Sequence, residues 1–299
     1  MRAFRKTATV LCGLVFLFSA VAKLLSVRSF ELYVFSLGLL SFDFTSLAAR
    51  LLILLEGCTG LWFLSGWKLR WAKWIAWAQL AFFSAFLFWR IFLADGASCH
   101  CFGELIDLNP WQSLGKNVLL ALLIALSAEE LWPRPLRPLY LAAVGLAAGI
   151  GLFVASPPDW YYRQGRETGY VVPDKWEALE KEHPLPGKRI VCFLSTRCEH
   201  CQDLSRKLYG MLERQGIGPE YMQTFFLMTS DSTQVEVEAF FKDFFGGTVY
   251  PSAVLDPLTF LGVTSGAMPV VVLSEDGRPV QEFDYYALDE KAMAAFLFQ

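Results

Sequence analysis

The chain has 299 residues, 55% of them hydrophobic, with 26 Phe, 10 Trp and a net charge of −3. That apolar excess excludes an ordinary soluble globular protein. The small net charge conceals two dissimilar parts: residues 1–158 carry 13 Lys/Arg against 8 Asp/Glu, net +5, and residues 159–299 carry 13 against 21, net −8. Neither part has a basic stripe interleaved with aromatics, so nucleic acid is not an expected partner.

Five apolar runs, at roughly 7–25, 45–66, 71–93, 112–131 and 138–156, approach the ~20 residues a bilayer requires. They predict an α-helical membrane bundle, because unpaired backbone in lipid is too costly for anything but helices and closed barrels. The first run also reads as a signal peptide, with Arg2, Arg5 and Lys6 as a basic start and Ala20-Val21-Ala22 as a cleavage-like site. Cleavage would leave four spans and the same sidedness. Arg2, Arg5, Lys6, Lys68, Arg70, Lys73, Arg134 and Arg137 all fall on one side if each run crosses once, whereas the opposite loops offer Arg28 and Lys116. Basic loops stay in the cytoplasm. The expectation is therefore a cytoplasmic N-terminus, with the Cys99/Cys101 loop and everything after Pro158 outside. Residues 26–43 are expected as a short helix or loop at the outer surface.

The expected organisation is a four-span domain over 1–135, a fifth span and linker over 136–159, and an extracytoplasmic domain over 160–299. The last alternates strand and helix signals. Asp174 is expected to cap a helix through Glu182. Arg189 to Ser195 reads as a buried strand, and Cys198 to Arg214 as a helix with Leu204, Leu208, Met211 and Leu212 on one side. Thr224 to Met228 is a second strand and Thr233 to Phe245 a second helix. An irregular Gly/Pro-rich stretch then leads to Pro269, a strand from Val270, a turn at Asp276-Gly277, a return strand from Pro279 to Phe283, and a closing helix from Ala287 to Phe298.

Cys198-Glu199-His200-Cys201 joins the first strand to its helix. A cysteine at a helix N-terminus has its thiolate stabilised by unpaired N–H groups and the helix dipole. The second cysteine, one turn further in, can resolve a mixed disulfide. A cis Met268–Pro269 bond is expected to set backbone beside the pair for a substrate chain. Cys198, Cys201, Pro269 and the strand order resemble the thioredoxin fold over about 160–299. The resemblance implies disulfide exchange with Cys198 as nucleophile. Thr196-Arg197 stands where many relatives carry an aromatic residue. His200 is typical of strongly oxidising relatives and can donate to the thiolate. Arg197 is expected to assist it and Glu199 to oppose it. Half a zinc site, with His183 and Cys192 as further candidates, and a simple staple are the competing readings. Zinc wants four ligands and the staple closes too short a loop, so redox chemistry is preferred.

Ser98-Cys99-His100-Cys101-Phe102-Gly103 lies between two apolar runs. A disulfide between cysteines one residue apart closes a small strained ring that is readily reduced, which suits an electron-transfer intermediate. This motif, Phe18-Ser19-Ala20-Val21-Ala22-Lys23-Leu24 and Glu56-Gly57 together resemble the MauE branch of the DoxX-like membrane proteins over about 5–132, and so a four-helix DoxX/MauE/VKOR-like unit. The resemblance implies disulfide formation in exported proteins and, in the broader superfamily, quinone as oxidant. His100 replaces the glycine common between the cysteines and opens a soft-metal reading such as Cu(I). Glu56 in mid-span, with Lys23, Arg50 and Arg90 in outer halves, defaults to a functional role, as quinone site or proton relay. The structural alternative is ion pairing, which must be between helices because Arg50 and Glu56 are six residues apart. Cys12 and Cys58 read as apolar packers, or as an inward extension of the thiol path.

The resulting expectation is a thiol–disulfide oxidoreductase of the bacterial inner membrane. Cys198/Cys201 would take electrons from cysteines of exported, periplasmic proteins and pass them through Cys99/Cys101 to a quinone-type acceptor, with no metal cofactor. The alternatives are soft-metal handling by Cys99-His100-Cys101, reductant delivery in the reverse direction, and an assembly factor with incidental cysteines.

Overall fold

A computed structural model describes residues 2–92, 109–130, 138–163, 169–217, 224–229, 232–247 and 249–298, with backbone alone at Arg90, Arg163 and 224–228. Cys99, His100 and Cys101 lie outside the described residues. Met1–Val34 with Thr45–Pro157 form one compact unit, and Phe35–Phe44 with Pro158–Gln299 another.

The first unit is helical. It is built from α1 (Arg2–Leu25), the start of α2 (Val27–Ser36), α3 (Phe42–Ser65) from Thr45 onward, α4 (Leu69–Phe92), α5 (Pro110–Leu126) and α6 (Pro138–Ala155). Helices α1, α3 and α6 are long and apolar enough to cross a membrane, and α5 is a shorter apolar helix. Helix α4 equals α1 and α3 in length, at 24 residues. Helix α5 stops before the predicted end. It starts in a capping box between Asn109 and Gln112, with Pro110 in its first turn, and breaks where Ser127 turns extended. Arg5 and Lys73 donate to the Ser127 carbonyl, and the Ala128 N–H donates to Thr9 Oγ1. Two cations at a helix C-terminus complement its negative end. They also bring basic residues from the start of α1 and the start of α4 to one end of the bundle.

Packing within this unit uses small residues. A Cβ on Gly60 would lie 2.8 Å from the Gly13 carbonyl oxygen, so α1 and α3 touch backbone to backbone. Cys12, Phe16, Phe63, Ala72, Ala76 and Ile124 fill the space between α1, α3, α4 and α5. Helix α6 turns Leu139, Val144, Leu146, Ile150 and Val154 outward. Such a surface is tolerable against lipid and not against water.

The second unit carries α7 (Asp159–Arg163), α8 (Pro173–Glu182), β1 (Lys188–Leu194), α9 (Glu199–Arg214), β2 (Thr224–Thr229), α10 (Gln234–Phe244), β3 (Ser252–Leu255), α11 (Pro257–Val263), β4 (Val270–Glu275), β5 (Arg278–Phe283) and α12 (Glu290–Phe298). The described strands form one mixed sheet in the order β3-β2-β1-β4-β5. Strands β1, β2 and β3 run parallel, and β4 and β5 are antiparallel additions. Val191, Phe193, Val270 and Val272 point to one face, under Trp176, Leu179, Phe260 and Val263. Ile190, Cys192, Val271 and Leu273 are equally buried on the other face. A sheet covered on both sides reads as continuous apolar runs.

Two expectations need correction here. Helix α8 begins at Pro173, with Val172 as an N-cap that makes no side-chain bond, rather than with Asp174 as cap. The Gly/Pro-rich stretch is not irregular throughout: it holds β3 and α11. Asp256 caps α11 by accepting the N–H groups of Leu258 and Thr259, with Pro257 in its first turn.

Candidate functional site

Strand β1 delivers the chain through Ser195-Thr196-Arg197 to α9. Cys198 is the N-cap of α9, at φ −87° and ψ 116°, and its Sγ accepts the Cys201 N–H at 3.4 Å. Sulfur thus stands where a Ser or Asp oxygen normally caps, at the positive end of the helix. Cys198 is half-buried and Cys201 is fully buried, both as thiols rather than a disulfide. One cysteine is partly exposed at the helix mouth and the other is held one turn inside. Phe193 pairs with Val270, which sets Pro269 level with Leu194 beside the end of β1. The Met268–Pro269 bond is cis.

The turn before Cys198 is fastened to α9 and α10. Thr196 and Ser232 share a hydroxyl bond of 2.9 Å, and Gln202 Nε2 donates to the Thr196 carbonyl. Arg197 Nη2 donates to Glu236 Oε1 at 3.0 Å. This contact ties the Arg197 side chain to the first turn of α10. Glu236 itself belongs to the α10 capping box with Thr233. The Thr233 backbone N–H, then the Arg197 guanidinium and the Thr233 hydroxyl hold the Glu236 carboxyl down at about 2. Glu199 and His200 are exposed, and the His200 ring lies 6.3 Å from that of Tyr285.

Sequence reasoning missed Lys207. It is fully buried, 2.8 Å from Asp159 Oδ2 and donating to the Tyr285 carbonyl at 3.1 Å, with the Phe42 ring 4.3 Å away. The signal was present, since Lys207 is three residues after Leu204 and four before Met211, on the apolar stripe. The zinc candidates do not assemble around the pair. Cys192 sits in β1, where burial pushes its thiol up, and His183 caps the end of α8.

In the first unit three of the predicted charges, Lys23, Glu56 and Arg50, lie in two separate buried pairs, and the Arg90 side chain lies outside the described residues. Lys23 Nζ lies 2.8 Å from Glu56 Oε2 and donates to Ser19 Oγ at 2.7 Å. Arg50 pairs with Glu31, and its guanidinium also donates to the carbonyls of Ser46 and Ser156. Pairing is indeed between helices, but Glu31 was not among the predicted residues. Its signal was an acidic residue in the apolar 26–43 segment.

Residues 1–129 match the family described as methylamine utilisation protein MauE. This segment is a MauE-like membrane domain. No curated protein matches the chain. All four paired charges and the Cys99/Cys101 loop fall within the MauE-like segment.

Of the charges that the resemblance implies for a quinone, Glu56 lines a cavity. The cavity beside Glu56, bounded by Ser19, Gln79, Lys116 and Asn117, measures about 30 Å³. A benzene-sized ring needs a cavity of roughly 150 Å³. A quinone head group does not fit there, and Lys23 and Glu56 already satisfy each other. A larger cavity of about 350 Å³ lies against Cys58, Trp62, Trp67 and Leu141, with no charged side chain among the described residues of its wall. Cys12 is buried among Phe16 and Phe63, while Cys58 faces α6, where a Cβ on Gly145 would lie 3.3 Å from its sulfur. Among the described residues no group of three or more His, Cys, Asp or Glu side chains gathers around one metal position.

Proposed function

We propose that this chain is a membrane-bound thiol–disulfide oxidoreductase in which a thioredoxin-like domain follows the MauE-like domain. The observation that carries the reading is Cys198 at the N-cap of α9, accepting the Cys201 N–H, with Cys201 buried one turn behind it. The order β2-β1-β4-β5 and the cis Met268–Pro269 bond beside β1 support the thioredoxin-like assignment.

In the oxidising direction, a substrate thiolate attacks Cys198 of the Cys198–Cys201 disulfide, and Cys201 leaves as thiolate. The second substrate thiolate then attacks its neighbour in the mixed disulfide and frees Cys198. Two electrons now rest on the pair. The same exchange passes them to a Cys99–Cys101 disulfide, whose oxidant the resemblance assigns to the quinone class. Joining both pairs in one chain raises their effective concentration. The substrates are exported proteins with cysteines, and the setting is the bacterial inner membrane with the thioredoxin-like domain periplasmic. Support for this sidedness is the concentration of Lys and Arg in alternate connections.

Trapping tests the reading. In cells, Cys201→Ser is expected to accumulate a mixed disulfide through Cys198, either with an exported protein or with Cys99 or Cys101. If non-reducing gels and mass spectrometry find none while the wild type cycles, the relay is wrong. Labelling with an impermeant maleimide that reached the two pairs from opposite faces would be equally fatal.

A further inference from the structure

Gln79, on α4 and 6% exposed, carries an acceptor that the helix packing leaves over. Its Nε2 donates to Thr59 Oγ1 at 2.7 Å, and the Thr59 hydroxyl donates to the Leu55 carbonyl at 2.7 Å. The Thr59 proton is thus directed at Leu55, so Thr59 can only accept from Gln79. That fixes the orientation of the amide. Gln79 Oε1 is then buried with no hydrogen-bond partner among the described residues. Native interiors rarely leave such an atom unsatisfied.

Gln79 lines the cavity of about 30 Å³ beside Glu56, together with Ser19, Lys116 and Asn117. This is the space of about one water, which needs two to four polar partners. The wall supplies them. Gln79 Oε1 accepts, the Glu56 carboxylate keeps lone pairs beyond those bonded to Lys23, and Lys116 and Asn117 add polar side chains to the wall from α5.

We infer that this cavity is an internal hydration site, binding one water that donates to Gln79 Oε1 and Glu56 and accepts from Lys116. The water extends the buried Lys23–Glu56 pair into a hydrogen-bonded row from α1 and α3 to α5. Lys116 stands two turns from the start of α5 at Pro110. A proton released by thiol oxidation can use this row. That use rests on the proposed function, whereas the water site does not.

X-ray radiolytic labelling with mass spectrometry tests the site in the full chain reconstituted in lipid nanodiscs. A trapped water generates hydroxyl radical beside its neighbours. Phe16 and Leu80, buried lining residues, are expected to gain oxygen rapidly, while Phe63 and Ile124, buried in the same helix cluster but not lining the cavity, gain far less. Gln79→Leu is expected to lose the labelling of Phe16 and Leu80, and Gln79→Glu to keep it. Silence at Phe16 and Leu80 in the wild type overturns the inference, as does wild-type labelling in Gln79→Leu. The wild-type comparison decides the matter even if Gln79→Leu fails to fold. Mixed-disulfide trapping is independent of either result, so the two readings fail separately.

Discussion

Arg197 Nη2 and Glu236 Oε1 lie 3.0 Å apart, tying the turn before Cys198 to the first turn of α10. Both side chains are largely solvated, so the pair orients the turn more than it stabilises the fold. Its pH behaviour is nevertheless readable. The Glu236 carboxyl sits at about 2 against an ordinary 4.5. A depressed folded value means the contribution is complete above pH 4.5 and fades as pH falls toward 2. Melting curves at about pH 5 and pH 3 are expected to show a larger Tm loss in the wild type than in Glu236→Gln. Equal losses would remove Glu236 from the account.

Alkylation should follow burial at the cysteine pair. In the reduced protein iodoacetamide is expected to modify Cys198 well ahead of Cys201 and Cys192, which are both fully buried. Cys192 should react only on unfolding, because burial holds its thiol protonated. Peptide mapping after timed quenching reads the order. Early labelling of Cys201 would contradict the order of burial, Cys198 half-buried and Cys201 fully buried.

The Lys23–Glu56 pair is 2.8 Å long and nearly inaccessible. Removing one partner strands a buried charge, so Lys23→Met or Glu56→Met should each destabilise the bundle by about 3–5 kcal/mol. The double variant should recover much of that loss, giving a strong coupling in a double-mutant cycle. Unfolding in mixed detergent measures it. Additive single losses would mean the two side chains act independently.

Gly60 is set against the Gly13 carbonyl oxygen, with 2.8 Å available for a Cβ. Gly60→Ala is expected to separate α1 from α3 and cost about 1–3 kcal/mol. Gly115, in α5, has nothing within 4 Å of a Cβ. Gly115→Ala should instead be neutral or stabilising by roughly 0.5–1 kcal/mol, the helix preference of alanine. The same unfolding assay compares them, and a harmless Gly60→Ala would rule out backbone contact at this crossing.

Local patterns were legible in the sequence. The helices over the five apolar runs, the strand that ends at the cysteine pair, and the Asp276-Gly277 turn all appear near their predicted positions. Strand β3 escaped because four residues are too few to show a period. Helix α11 was signalled by Asp256-Pro257, an N-cap followed by an N1 proline, and was passed over among neighbouring glycines and prolines.

Cys198 at a helix mouth with Cys201 one turn inside follows from residue order alone, because capping acts over three residues. Lipid-compatible helices likewise follow from composition, since the backbone must satisfy itself wherever water is absent. Which charges meet was decided only in three dimensions. Lys23 chose Glu56, Arg50 chose Glu31, and Arg197 met Glu236. Each of those choices depends on how neighbouring helices are rotated and how closely they pack, which no spacing within a single element encodes.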